Sequence, residues 1–240
     1  MNYKNAPIQE AVFDVRIDRI GVQSVEDLKK YKEHLPDEYQ NEKKKVNFSG
    51  VFQVAKNKEI ESKTKSDLTG YIYSTPQNTR QIQVRLDGFT LNILKPYETW
   101  EVHFAEFLKA WSLYKDLFQP NSVQRIATRF INRIEIPIPF NDFEDFIVNM
   151  PPIPKGLPQV FNSFFMQIQV PCSDNLRSAI ITETMEPATE KVLPFILDID
   201  VFQERGLTFD NLVENFNQIR SIKNEVFENC ISEQTRKLFL

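Results

Sequence analysis

The stretch SVQRIATRFINRIEIPIP, residues 122–139, alternates with period two. Ile126, Phe130, Ile134 and Ile136 fall on one side, and Arg125, Arg129 and Arg133 fall on the other with Ala127, Ile131 and Glu135. Successive side chains of a strand point to opposite faces. The pattern therefore predicts a strand with one buried face and one polar face. At a rise of roughly 3.3 Å per residue, arginines four positions apart stand about 13 Å from each other. That spacing is too wide for a single phosphate group. It fits separated phosphates along a nucleic-acid backbone, or a row of carboxylates held by a partner.

The chain itself offers such a row. In EAVFDVRID, residues 10–18, Ala11, Phe13, Val15 and Ile17 share one face, and Glu10, Asp14 and Asp18 recur every four residues on the other. Equal spacing and opposite sign predict a cross-strand ladder of Glu10, Asp14 and Asp18 against Arg125, Arg129 and Arg133. Each pair would contribute about 0.2–1 kcal/mol, with fork-shaped arginine geometry favouring alignment. Two functional alternatives stay open for the same arginines: a face for an acidic partner, or for nucleic acid. Arg80 and Arg85 would add a weaker basic face.

Outward from these two strands, further period-two runs predict strands at residues 46–55, 68–75 and 80–86, the last followed by the turn pair Asp87-Gly88 and the strand FTLNIL. Residues 99–118 predict an amphipathic helix after Pro96 and before Pro120, with Val102, Phe107, Ala110, Trp111, Tyr114 and Phe118 on its apolar stripe. Residues 24–35 predict a helix capped by Ser24 and Asp27. Residues 141–150 predict a short one with Asn141 as cap and Glu144 closing a capping box. After the proline-rich residues 150–158, strands are expected at 159–170, 176–185 and 193–204. A final helix is expected from about Phe209 to Phe227 or beyond, with Leu212, Phe216, Ile219, Val226 and Phe227 on its buried side.

Strand clusters between helices predict an α+β protein, a curved antiparallel sheet packed on long helices. In element order the chain reads as two β-α-β-β-β-α halves, residues 1–120 and 121–240, packed as one compact unit. That arrangement is of the kind found in TATA-box-binding-protein-like or helix-grip folds. In such a duplication the first strands of the two halves are neighbours at the sheet centre.

The 240 residues are 41% hydrophobic and 26% charged, a composition that allows a sizeable core. Twenty phenylalanines spread along the chain read as core. The net charge of −4 argues against a dedicated nucleic-acid binder. Cys172 and Cys230 have no metal-ligand or disulfide-framework spacing, and no secretory leader or membrane span is evident, so a cytoplasmic protein with no membrane association is expected.

Motifs for chemistry are scarce. Six glycines provide no phosphate-binding loop, and there is no G-x-S-x-G nucleophile turn. His103 and Glu106 stand three apart on one helix, as metal ligands do, but a solvated or locally hydrogen-bonded face explains them. The pair Asp198 and Asp200, and likewise Glu183 and Glu186, are read as the wet face of a strand. Lys43-Lys44-Lys45 is read as a solvated loop or strand entry. A Cys–His pair is formally available, but Cys230 falls near the buried stripe of the last helix. No catalytic residue, metal site or cofactor is assigned.

Four stretches together carry a resemblance: residues 3–13 (YKNAPIQEAVF), 87–92 (DGFTLN), 96–100 (PYETW) and 125–134 (RIATRFINRI). They resemble a sporadically distributed family of uncharacterised bacterial and archaeal proteins of about this length. The pair Ala127-Thr128 departs from the Gly-hydrophobic pair expected there, and Phe130 replaces a Tyr, which removes any role for that hydroxyl. The resemblance implies no known activity. The patchy distribution points to mobile, conflict-related genes such as defence or toxin–antitoxin loci. The expectation is a non-enzymatic binding or regulatory protein acting through a protein partner. The alternatives are a nucleic-acid-binding component, and a small-molecule protein with a cavity between sheet and long helix. Homo-oligomerisation is left open.

Overall fold

The computed structural model describes residues 3–18, 20–21, 24–53 and 61–240. Among them, nine strands form one antiparallel sheet: β1 (Ile8–Ile17), β2 (Asn41–Gln53), β3 (Glu61–Ser74), β4 (Arg80–Arg85), β5 (Gly88–Leu94), β6 (Val123–Pro137), β7 (Phe165–Pro171), β8 (Arg177–Met185) and β9 (Val192–Gln203). Their order is β2-β3-β4-β5-β1-β6-β9-β8-β7, so the sheet is open, with β2 and β7 at its edges. β1 and β6 lie side by side at its middle.

Parity decides which side of each strand is buried. Ala11, Phe13 and Val15 of β1 and Ile126, Phe130, Ile134 and Ile136 of β6 are buried together. The α-helices α1 (Trp100–Phe118) and α2 (Leu212–Cys230) cover that face. Phe13 shows the packing: its ring centroid is 5.1 Å from Trp100, 5.4 Å from Phe107 and 6.5 Å from Phe216, so one strand residue holds both helices. Burying such an aromatic side chain stabilises by roughly 1.5–3 kcal/mol. A ten-residue 3-10 helix at Val25–His34, with Asp27 accepting from the Ser24 amide at 3.2 Å, docks on the same side through Tyr31, whose hydroxyl donates to Ala110 O. No helix among the described residues is long and apolar enough to cross a membrane.

Several boundaries differ from the sequence expectation. β2 begins at Asn41 and takes in the lysine run Lys43–Lys45, and β3 begins at Glu61; Val54 and Ala55 lie outside the described residues. β7 starts at Phe165 rather than 159, because its residues are nearly all exposed and no buried face extends it. The expected helix at 141–150 is a single 3-10 turn, Phe143–Asp145. Its cap is Asp142, not Asn141, and accepts from the Glu144 amide, so no capping box forms. Val102 is 49% exposed rather than buried. It sits two residues before Phe104, about 200° around the helix from the buried stripe. A short helix, α3 (Glu233–Lys237), ends the chain, capped by Ser232.

Two glycines permit close strand approaches. A Cβ at Gly70 would stand 2.3 Å from Val84 O and 3.2 Å from Arg85 Cγ. One at Gly88 (φ +155°) would stand 2.2 Å from Val15 O. Gly88 lets the β4–β5 turn lie against β1, and Gly70 leaves room for the backbone of β4 and the stem of the Arg85 side chain.

Candidate functional site: a charged groove on the open sheet face

The face away from the helices carries a groove of about 690 Å³. Its floor is the open side of β1, β4, β5 and β6, with β2, β3 and β9 contributing at the margins. Five cationic side chains (Arg16, Lys45, Arg85, Arg125, Arg129) and four carboxylates (Glu10, Asp14, Asp87, Asp200) line it. The amides and hydroxyls of Gln83, Thr90 and Asn92 stand between them.

Asp14 is the hub. Its Oδ1 accepts from Arg85 Nη2 at 3.0 Å and from Thr90 Oγ1 at 2.6 Å, and its Oδ2 lies 3.6 Å from Arg125 Nη1. Arg85, whose side chain is 10% exposed, also donates through Nε to Asp87 Oδ1 at 3.0 Å and through Nη1 to Thr90. Burial alone would favour loss of the Arg85 proton, but Asp14 and Asp87 more than offset it and raise the guanidinium pKa. A second chain joins residues of four strands and passes over β3: Lys45 Nζ donates to Gln83 at 2.7 Å, Gln83 to Asn92 at 3.0 Å, and Asn92 to Glu10 at 2.6 Å. Burial and the nearby Arg85 lower the pKa of Lys45.

The ladder expected between β1 and β6 takes a different form. The strands are adjacent, but Glu10 faces Ile131 and Asp14 faces Ala127, so the arginines sit diagonally to the β1 carboxylates. Arg125 alone reaches one of them, Asp14, and its shorter contact is to Asp200 of β9 at 3.1 Å. Arg129 makes a fork on Asp198 of β9, Nε to Oδ1 at 2.9 Å and Nη2 to Oδ2 at 2.5 Å. Arg133 pairs with Glu186 at 3.0 Å and Glu135 at 2.5 Å. The physical reason is register: β9 presents Asp198 and Asp200 opposite Ile131 and Arg129, on the same open face. Glu10 is engaged by Asn92 instead. Asp18 lies exposed past the end of β1 and, among the described residues, makes no ion pair.

Arg80 and Arg85 do not form one basic face. Five residues apart on a strand, they point to opposite sides. Arg85 lies in the groove, whereas Arg80 turns to the helix side and meets Glu106 at 3.3 Å and Glu98 at 3.6 Å. Asp198 and Asp200 are held by arginines rather than standing as a bare wet pair. Burial raises the Asp200 pKa and Arg125 opposes that rise. Glu183 is 1% exposed on the helix side, and burial pushes its carboxyl up to about 7, so it is not a wet-face residue.

His103 is fully buried. It accepts from the Glu98 amide through Nε2 at 3.0 Å, with Glu106 3.7 Å from Nδ1, rather than lying on a solvated face. Among the described residues no group of three or more His, Cys, Asp or Glu is placed to hold a metal ion. Cys230 is buried and its thiol pushed up to about 12, an inert setting.

Lys45, expected as part of a solvated loop or strand entry, lies within β2 and lines the groove. Sequence reasoning did not single out Gln83, Thr90, Asn92 or Phe202, whose ring lies 4.5 Å from the Arg125 guanidinium. Their signal was parity: Gln83 alternates with Ile82 and Val84, and falls with Arg85 on the open face. No protein-family model matches the chain, and no curated protein matches it.

Proposed function

We propose that this chain is a non-enzymatic binding protein that takes a polypeptide partner across the open face of its sheet. The observation that carries the reading is the interleaving of charge in the groove. Arg85, Arg125 and Arg129 each already hold a carboxylate. A polyanion gains by releasing counterions to free cations, and cations committed to carboxylates offer little of that gain. A polypeptide carrying both signs, and able to hydrogen-bond Gln83 and the outer atoms of Arg16 and Arg129, matches such a surface better. Arg16 and Arg129 have side chains 59% and 50% exposed and are the groups best placed to meet it.

Outward from the β1–β6 centre the order is β1-β5-β4-β3-β2 on one side and β6-β9-β8-β7 on the other, and each run is followed in sequence by a 19-residue helix. This supports two related halves, 1–120 and 121–240, of the TATA-box-binding-protein-like kind, with membership of the sporadic prokaryotic family as part of the same proposal. Two free thiols fit a reducing, cytoplasmic setting.

The test is capture from the native host with wild-type protein and with Arg129→Glu, both checked for an unchanged melting transition. A polypeptide retained by the wild type and lost by the variant supports the reading. Recovery of the bait alone, or of nucleic acid that dissociates as salt is raised, overturns it.

A further inference from the structure

A second cavity, of about 220 Å³, lies on the other side of the sheet, under α2. Three stretches far apart in sequence meet there: Ala6-Pro7-Ile8 leading into β1, Tyr97–Trp100 leading into α1, and Phe130 with Asn132 on β6. All three belong to the segments that carry the family resemblance. α2 closes the cavity with Arg220, Lys223, Asn224, Phe227 and Glu228.

Two cations, Arg220 and Lys223, and two carboxylates, Glu98 and Glu228, line it, but they do not pair with one another. Glu228 is taken up by the Tyr3 hydroxyl at 2.9 Å and by Arg236 at 2.9 Å. Arg220 holds the exposed Glu101 at 2.8 Å and lies 5.1 Å from the Trp100 ring. Lys223 makes no ion pair among the described residues. Its Nζ donates to the Asn224 side chain at 2.5 Å and sits 4.0 Å from the centroid of the Phe130 ring. A cation–π contact of this kind contributes about 0.5–2 kcal/mol, less than the several kcal/mol that removing an ammonium from water costs. Lys223 is therefore half-buried at the cavity without a counter-charge, beside Arg220 and the rings of Tyr97, Trp100 and Phe130.

We propose that this cavity is a binding site for a small planar organic anion, an aromatic carboxylate in chemical class, with its carboxylate between Lys223 and Arg220 and its ring against Phe130 and Tyr97. At 220 Å³ the cavity lies below the roughly 300–1,000 Å³ of sites for drug-sized ligands, which restricts the ligand to about one ring. An opposite charge beside Lys223 supplies the partner that the fold withholds. Burial, and secondarily Arg220, lower the Lys223 ammonium to about pH 7, with Glu228 opposing, so above neutral pH anion binding carries proton uptake with it. Tyr3, Tyr97 and Glu98 are the other titratable groups around the cavity. The site is separate from the groove and does not depend on the polypeptide reading.

The experiment is calorimetric titration of the whole protein with benzoate, and in parallel with inorganic phosphate, at pH 8 in two buffers of different ionisation enthalpy. The expected result is saturable benzoate binding with proton uptake, at least tenfold weaker in Lys223→Met and unchanged in the groove variant Arg129→Glu. Thermal melts of Lys223→Met establish that it folds, and Lys223→Arg, which keeps the cation, should retain binding. No saturable heat with benzoate, equal affinity in Lys223→Met, or phosphate bound more tightly than benzoate would each overturn the proposal.

Discussion

Arg85 on β4 reaches over the whole width of β5 to place its Nη2 3.0 Å from Asp14 Oδ1 on β1, with Thr90 of β5 bonded to the same carboxylate oxygen beneath it. Three neighbouring strands are thus tied by one charged group on the face that carries no helix. Removing one partner of a largely buried pair leaves the other uncompensated, at a cost of about 3–5 kcal/mol, whereas replacing both with apolar groups is often nearly neutral. Arg85→Met should therefore lower the unfolding free energy by roughly 3 kcal/mol. Adding Asp14→Leu should recover a good part of it, since Arg125 keeps Asp200. Urea unfolding of the single and double variants measures both; a double variant less stable than Arg85→Met would contradict this account of the groove.

Gly70 should tolerate no side chain. An added Cβ would meet Val84 O at 2.3 Å, a backbone atom that cannot swing aside. Gly70→Ala is expected to cost about 1–3 kcal/mol, as overpacking does elsewhere, and to shift the thermal midpoint downward. The mutation Gly156→Ala, at a position with open space around it, is the comparison for a glycine with no close neighbour; its strain comes from its positive φ alone. A Gly70→Ala protein with wild-type stability would show that β3 and β4 can separate freely.

Glu183 predicts a pH dependence. Its folded-state pKa, about 7, exceeds the ordinary value of 4.5 because it is buried without a counter-charge. Between those limits the folded protein holds a proton that the unfolded chain has lost, so stability falls as pH rises from about 4.5 to 7. Glu183→Gln should remove that slope and be more stable than wild type at pH 8, by on the order of 2–3 kcal/mol. Denaturation curves across the window decide it; parallel pH profiles for the two proteins would contradict it.

Lys223 predicts the opposite limb. Its folded-state pKa is lowered to about 7 from 10.5. Above pH 7 the unfolded chain binds the proton that the folded protein has released, so stability rises from about pH 7 towards 10. Lys223→Met should lose that rise and gain stability at pH 6. A variant with the wild-type rise would place the titrating group elsewhere.

Much of the sheet was legible because its strands are amphipathic. β1, β4, β6 and β8 alternate, and parity assigns each residue a face before any coordinate is known. That parity also separates Arg80 from Arg85 and Gln83 from Ile82. On α1 the helical period, not parity, sets the face: His103, four residues before Phe107, falls on the buried stripe, although a histidine beside Glu106 reads as polar surface from sequence. Partners were less legible. The arginines of β6 have carboxylates on both neighbouring strands, and the choice between Asp14 and Asp198 depends on register, which a tertiary contact sets and a periodic pattern does not. Glu183 shares the parity of Ala179 and Ile181, yet an acidic residue in a strand reads as wet unless the covering helix is known. β7 could not be bounded because its exposed residues leave no buried face to mark its ends.

The most direct test of the central claim is site-specific photo-crosslinking in the native host. A benzoyl-phenylalanine would be placed at Val12 in the floor of the groove, and as a control at Val213, which is 44% exposed on α2. The account predicts a discrete polypeptide adduct from Val12 that is absent from Val213 and abolished by Arg129→Glu. Adducts from Val12 that are sensitive to nuclease rather than protease, or equal adducts from both positions, would contradict it.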